Sequence, residues 1–303
     1  MIYWIAFVAA FVLSLIFTPI MRLIAIKSGI KDIPNHRSLH VEPIPKAGGA
    51  AIFFAFYLAI VIALGKLCFI AFPILAGAVV ILLVGFFDDV TGISPVFKII
   101  GQFVAAAVVI SSGIRIDFFP EIVSIPLTYL WMIGIMNAMN LLDGMDGMAA
   151  GITVIASLVF SIFAFNMQLS YISLICLALA GASLGFLKYN FYRASIFMGD
   201  TGSLFVGYAL GLLGVMCTYR SGNVINLFIP IIILGVPIFD TLLAIIRRII
   251  NKKPIFEADC SHFYEWLFQK KVFSYRTIVL FSYLACAGLG AIALLLGAMT
   301  HAR

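Results

Sequence analysis

Charge is what this sequence has least of. Of its 303 residues only 11% are Asp, Glu, Lys or Arg, against 64% hydrophobic. The mean hydropathy of +1.17 lies far above what a water-soluble domain tolerates, so a soluble globule is excluded. Strand-like alternation over segments of ~10 residues is missing too, which excludes a transmembrane β-barrel. The five cysteines (Cys68, Cys176, Cys217, Cys260, Cys286) have no paired spacing, and four of them fall in apolar segments. They imply neither a disulfide framework nor a zinc site. No basic residue precedes Arg22, so the positive region of a cleavable signal peptide is lacking and the first span is expected to stay attached. With no fixed-period repeat, low-complexity segment or soluble domain, residues 1–303 read as one polytopic domain.

What is present is a series of apolar segments, each long enough to cross a hydrocarbon core of ~30 Å as a helix. Breaks at Gly, Pro and charge predict an all-α integral membrane protein with about ten transmembrane helices, near 2–26, 47–64, 67–87, 96–112, 122–139, 148–165, 169–187, 201–217, 224–246 and 277–298. With the N-terminus outside, 15 of the 19 basic residues fall in inner connections, leaving only Lys66, Arg115, Arg220 and Arg303 outside. The excess of Lys and Arg on the inner side predicts both termini outside and five cytoplasmic loops.

On that topology 11 of the 13 acids also lie at the inner side, where the orientation rule does not require them. Five of these, Asp88, Asp89, Asp143, Asp146 and Asp200, sit in three short loops with almost no basic partners. Carboxylates crowded at one surface repel one another, and a metal ion or another cationic ligand is the natural way to hold them together. Asp88 and Asp89 end an apolar run, and a solvated helix end would account for them equally well. Asn137, Asn140, Asp143 and Asp146 are three apart, a helical spacing that predicts amides and carboxylates on one face, with Gly144 and Gly147 permitting tight turns and close backbone approach to a ligand.

The stretch Asn190 to Ser203 ends in Phe197-Met198-Gly199-Asp200-Thr201-Gly202-Ser203. An acid beside glycines at a helix start offers backbone N–H groups and a carboxylate, both suited to Mg²⁺ and phosphate. Phe197 reads as core packing or as a ring stacked on a base. The last inner loop, 247–276, carries seven Lys or Arg against three acids and reads as a surface docked on anionic lipid. His262 is the single histidine there, and a lone histidine is more often a solvated side chain than a ligand.

Taken together these segments resemble the polyprenyl-phosphate N-acetylhexosamine-1-phosphate transferases, the family of the MraY and WecA types. The likeness rests on the first loop from Asp32-Ile33-Pro34-Asn35 to Lys46-Ala47-Gly48-Gly49, the Asp88-Asp89 pair, the run from Asn137 to Gly147, and Phe197 to Ser203, four motifs in order along nearly the whole chain. It implies transfer of a sugar 1-phosphate from a UDP-sugar to a membrane polyprenyl (undecaprenyl) phosphate, with release of UMP and a requirement for Mg²⁺. By matching position, Asp200 is implied as a Mg²⁺ ligand, and Asp88 and Asp89 as the pair that binds metal or activates the lipid phosphate. Asn137, Asn140, Asp143, Asp146 and Asn190 fall in the nucleotide and metal neighbourhood. Phe197 matches the aromatic that stacks on uracil, and His262 one histidine of a last-loop motif.

The resemblance further implies a multi-pass protein of the plasma (inner) membrane with a cytoplasmic active site, the bilayer, a UDP-sugar and a polyprenyl phosphate as partners, and a homodimer as an open alternative to a monomer. No nucleic-acid partner is expected. Where many members carry a histidine-rich string, this chain reads His262-Phe263-Tyr264-Glu265. That is similar to the WbpL-like branch, which initiates O-antigen chains with 6-deoxy sugars, and a less polar pocket would suit a sugar lacking its 6-hydroxyl. UDP-GlcNAc is the alternative donor. A secondary transporter is the rival from another class, with Asp240 near Pro237 as the one acid that fits it.

Overall fold

The computed structural model describes residues 1–34, 41–65, 71–218, 224–252 and 273–301. Among these residues there are eleven helices: α1 (Ile2–Ser28), α2 (Gly48–Leu64), α3 (Ala71–Thr91), α4 (Pro95–Ser111), α5 (Glu121–Leu142), α6 (Met148–Asn166), α7 (Ser170–Asn190), α8 (Gly199–Thr218), α9 (Val224–Ile233), α10 (Gly235–Ile250) and α11 (Tyr275–His301). An antiparallel pair of short strands, β1 (Lys31–Asp32) and β2 (Ile44–Pro45), closes the segment between α1 and α2. A chain this apolar has no water to satisfy its backbone in a bilayer, and helices do so within each segment.

Over the described residues the expected apolar windows fall on helix, but length separates them. Seven helices are long and apolar enough to cross a membrane, or eight if the bent pair α9 and α10 is one span. α2 and α4 have 17 residues each and so rise only about 26 Å, short of a typical hydrocarbon core. The window 224–246 is not one straight helix. It breaks at Leu234 with a bend of 76° between α9 and α10. Pro230 lies inside α9 and Pro237 in the first turn of α10, and each removes a backbone donor from the helical ladder where the axis turns.

Burial identifies the centre of the bundle. The span of α8 is 94% buried, against 22% for α1, so α8 is surrounded by protein while α1 shows most of its surface outward. Its neighbours include α3, α5 and α2. Close approach depends on residues without bulk. A Cβ on Gly207 of α8 would lie 2.7 Å from Cα of Met136 on α5, and one on Gly181 of α7 would lie 2.3 Å from the carbonyl oxygen of Phe7 on α1. Facing α7, α1 presents the fully buried stripe Ala6, Ala10, Ser14 and Thr18. Small residues let membrane helices pack backbone to backbone where lipid provides no hydrophobic drive between them.

Successive long helices alternate in direction, which gathers one set of their ends at the same pole. The backbone N–H groups of Gly48 and Gly49, at the start of α2, donate to the carbonyls of Phe197 and Met198 just before α8. Asp89 at the end of α3 meets the start of α8, and the backbone N–H of Asp146, in the turn between α5 and α6, donates to the phenol oxygen of Tyr275 at the start of α11. The loops that carry the sequence motifs therefore share one end of the bundle.

Candidate active site

The first turn of α8 is the centre of this pole. Asp89 accepts from the backbone N–H of Asp200 at 2.9 Å through Oδ1. Through Oδ2 it accepts from the N–H of Thr201 at 2.9 Å and the hydroxyl of Thr201 at 2.7 Å. A carboxylate from one helix thus caps the N-terminus of another, satisfying orphan donors and meeting the positive end of the helix dipole. Gly199 makes room for it: its φ of +70° is a left-handed conformation, and a Cβ there would lie 2.6 Å from Oδ2 of Asp89. The same turn is gripped by backbone on two other sides. A Cβ on Gly49 would approach the N of Gly202 to 2.1 Å, and one on Gly85 would approach Cα of Thr201 to 2.5 Å.

With the turn so placed, the Asp200 carboxylate reaches the ammonium of Lys98 and the side chains of Asp88 and Asn140. Lys98, in the first turn of α4, also donates to Oδ2 of Asp88 at 3.0 Å. Oδ1 of Asp88 accepts from the backbone N–H of Ile93 at 3.2 Å. The ammonium therefore bridges carboxylates from α3 and α8. The side chains of Asp88, Lys98 and Asp200 keep 18%, 19% and 25% exposure, so the cluster is sheltered yet open to a ligand. Lys98 is what sequence reasoning missed: the acids do have a basic partner, ten residues beyond Asp88 across the tight Gly92-Ile93-Ser94-Pro95 connection. Its nearness in sequence is the signal that would have found it.

The run from Asn137 to Asp146 is not one helical face. α5 stops at Leu142, and residues 143–147 form a turn in which Gly147 takes a φ of +76°. Asn137 faces α4, where its amide exchanges hydrogen bonds of 2.8 and 3.2 Å with Gln102. Asn140 faces α8, donating to the Ser203 hydroxyl at 2.9 Å. Oδ2 of Asp146 accepts from the N–H of Ala194 at 2.9 Å. The buried amide of Asn190 accepts from the N–H of Gly147 at 3.0 Å and donates to the carbonyl of Ile196 at 3.1 Å. Asp146 and Asn190 thus stitch the turn after α5 to the loop before α8. Tyr283 of α11 adds a hydrogen bond of 2.5 Å to the carbonyl of Gly147. The reading of single loops could not reveal Gln102, Tyr275 and Tyr283, since each lies within an apolar helix.

Asp143, just beyond α5, has a carboxyl held well above its usual range by desolvation and then by the negative charges of Asp200 and Asp89. Lys46 lies opposite in charge. Desolvation lowers its pKa, but its 2.9 Å ion pair with Asp32 and the fields of Asp89 and Asp200 outweigh that and raise it. The backbone of Phe197 is clamped to the first loop, its N–H donating to the carbonyl of Pro45 at 2.9 Å. Its ring is half-buried. His262 lies outside the described residues, as do Phe263, Tyr264 and residues 35–40 of the first loop.

Among the described residues no three His, Cys, Asp or Glu side chains converge as a ready-made metal cage. Mg²⁺ does not demand one, since it is commonly held by one or two carboxylates together with waters and substrate phosphates. Asp88 and Asp200 fit that chemistry: two hard oxygen donors from separate helices already share one cation. The oxygens of Asp89 are directed at the α8 turn instead.

Fold and site define an integral membrane protein whose bundle carries, at one pole, a carboxylate-rich polar cluster at the ends of several apolar helices. The chain belongs to glycosyl transferase family 4, whose profile matches residues 71–218, the stretch from α3 to α8 that holds all the clustered acids. A Bacillus subtilis (strain 168) protein named "Probable undecaprenyl-phosphate N-acetylglucosaminyl 1-phosphate transferase" is 42% identical over 291 residues, covering 92% of this chain and 81% of that protein. A "Decaprenyl-phosphate N-acetylglucosaminephosphotransferase" of Mycolicibacterium smegmatis is 32% identical, with 87% and 74% covered. A "Phospho-N-acetylmuramoyl-pentapeptide-transferase" of Oleidesulfovibrio alaskensis is 38% identical over a shorter stretch, 45% of this chain and 48% of that protein. The protein is thus a membrane-embedded phosphosugar transferase.

Proposed function

We propose that the protein transfers an N-acetylhexosamine 1-phosphate from a UDP-sugar to a membrane polyprenyl phosphate, releasing UMP and leaving a polyprenyl-diphosphate sugar, the first membrane step of a cell-surface glycan. The site faces the cytoplasm from the plasma membrane, and both termini lie outside. The observation that carries this reading is the Asp88–Lys98–Asp200 cluster at the start of α8, in a chain so similar to relatives named for such a transfer.

The chemistry required is the approach of one anionic phosphate to another. The attacking lipid phosphate oxygen is already ionised near neutral pH, so the chief barrier is repulsion and no dedicated base is needed. When bound by Asp88 and Asp200, Mg²⁺ supplies the positive charge that offsets the diphosphate. Lys98 and Lys46 add fixed positive charge at the same pole, and Asp89 holds the α8 turn in register. Phe197 stacks on the uracil, and Asn140 orients Asp200. Asp240, the transporter candidate, is buried on α10, away from this cluster in sequence.

N-acetylglucosamine is the donor sugar that the names of the two long-matching relatives favour. A second reading, a 6-deoxy sugar such as FucNAc or QuiNAc and an O-antigen role, is favoured by Phe263 and Tyr264 in place of histidines. One experiment tests both: purified protein with undecaprenyl phosphate, Mg²⁺ and a panel of UDP-HexNAc donors, following UMP release and the mass of the lipid product. Turnover with UDP-GlcNAc as good as with the 6-deoxy donors removes the second reading. Absence of UMP release with every donor removes the first.

A further inference from the structure

Lys98 presents an unusual economy of charge. Asp88 and Asp200 lie within reach of each other and of the Lys98 ammonium, while Asp89 and Asp143 add negative field at the same place. Two ionised carboxylates brought this close repel unless positive charge lies between them, and the protein supplies a cation of its own. The side chain that does so is unbranched and flexible, a compact point charge on a four-carbon stem, rooted in the first turn of α4 beside the Gly92–Pro95 connection. It can therefore leave the gap without any helix moving. The carboxylates cannot leave so easily. Asp200 begins a helix gripped by Asp89, Gly49 and Gly85, and Asp88 is tied to the N–H of Ile93.

We infer that Lys98 is a positioning residue and a resident counter-ion: it occupies the gap between Asp88 and Asp200 in the resting protein, and a divalent cation entering the gap displaces its ammonium. This rests on the proposed Mg²⁺-dependent transfer, and it adds an exchange of one cation for another. The two compete for the gap, because an ammonium seated between the Oδ2 atoms occupies that space and its positive charge repels a second cation. The exchange keeps the acids assembled when no metal is present, and it frees a positive side chain beside the gap once metal arrives.

The test uses the intact wild-type protein in detergent or nanodiscs, without sugar nucleotide or lipid acceptor. Mn²⁺ binding is followed by electron paramagnetic resonance. In parallel, a brief pulse of an amine-acylating reagent is applied with and without saturating Mg²⁺, and the modification of Lys98 is read by mass spectrometry. Exchange predicts that acylation of Lys98 rises several-fold with Mg²⁺, that Asp200→Asn abolishes the rise, and that Lys98→Gln tightens Mn²⁺ binding. Unchanged or lower acylation while Mn²⁺ binds would overturn the inference, as would a rise that persists in Asp200→Asn or an absence of Mn²⁺ binding. Release of UMP in the complete reaction, measured separately, decides the transferase reading whatever Lys98 does.

Discussion

Neighbouring carboxylates in this site are set to different work by what they touch. Asp89 accepts three hydrogen bonds from the start of α8, so Asp89→Asn would turn an amide donor toward backbone N–H groups. We expect it to lose about 1–3 kcal/mol of stability, the usual cost of an unsatisfied buried polar group, seen as a lower melting temperature in detergent. Asp200 faces Lys98 and Asp88 instead. Asp200→Asn should leave the melting temperature nearly unchanged and lower Mg²⁺-dependent UMP release by about 100-fold or more, as for loss of a principal electrostatic contributor. Near-wild-type turnover at saturating Mg²⁺ would exclude Asp200 as a ligand. For Phe197→Ala, titration with UMP should show binding weakened by about 1–3 kcal/mol, the range of base–aromatic stacking. Unchanged affinity would return Phe197 to a packing role.

Helix contacts in this bundle are made by the absence of side chains. The α1 stripe of Ala6, Ala10, Ser14 and Thr18 meets Gly181 and Gly185 of α7, where added Cβ atoms would sit 2.3 and 2.6 Å from the carbonyl oxygens of Phe7 and Phe11. Gly181→Val must push the two backbones apart and should cost about 1–3 kcal/mol, in the range of overpacked cores. Since the atoms crowded there belong to Phe7 and Ala10 of α1 and none to the acid cluster, UMP release per folded molecule should fall much less than the melting temperature does. A variant that melts like the wild type would show that α1 can shift at no cost. The break between α9 and α10 belongs to the same scale. Its prolines were visible in the sequence, but an apolar run continuing across them read as one span, because hydropathy counts residues and not axis direction.

For the whole molecule the expected orientation is open to direct measurement. In a background with Cys68 and Cys260 replaced, single cysteines at Asp117 and Arg193 mark the two poles, both residues being exposed. A membrane-impermeant maleimide should label Asp117→Cys in intact cells and Arg193→Cys only after permeabilisation, and the reverse pattern would invert the topology. The alternation that puts these residues at opposite poles also explains why the acid-rich loops share one: each connects the ends of antiparallel neighbours. Class and family were legible for that reason. Segment length and hydropathy select membrane helices, and motifs in short loops between antiparallel neighbours reach the same pole even where, as from Asn137 to Asp146, their side chains part to different helices.

Composition and spacing determined on their own that the chain is helical, that it belongs in a bilayer, and that Asp88, Asp89, Asp143, Asp146 and Asp200 gather at one side, because those properties depend on local polarity and on the parity of the crossings. Only the tertiary structure decided what each polar group does. Asp89 became a cap for α8, Asn190 and Asp146 became ties between loops, Asn137 turned to Gln102, and Lys98 entered the gap between Asp88 and Asp200. The physical reason is directional. A hydrogen bond or ion pair depends on angle and on distances of about 3 Å, and these are set by how α3, α4, α5 and α8 pack, through close approaches at Gly49, Gly85 and Gly207 that no loop motif records.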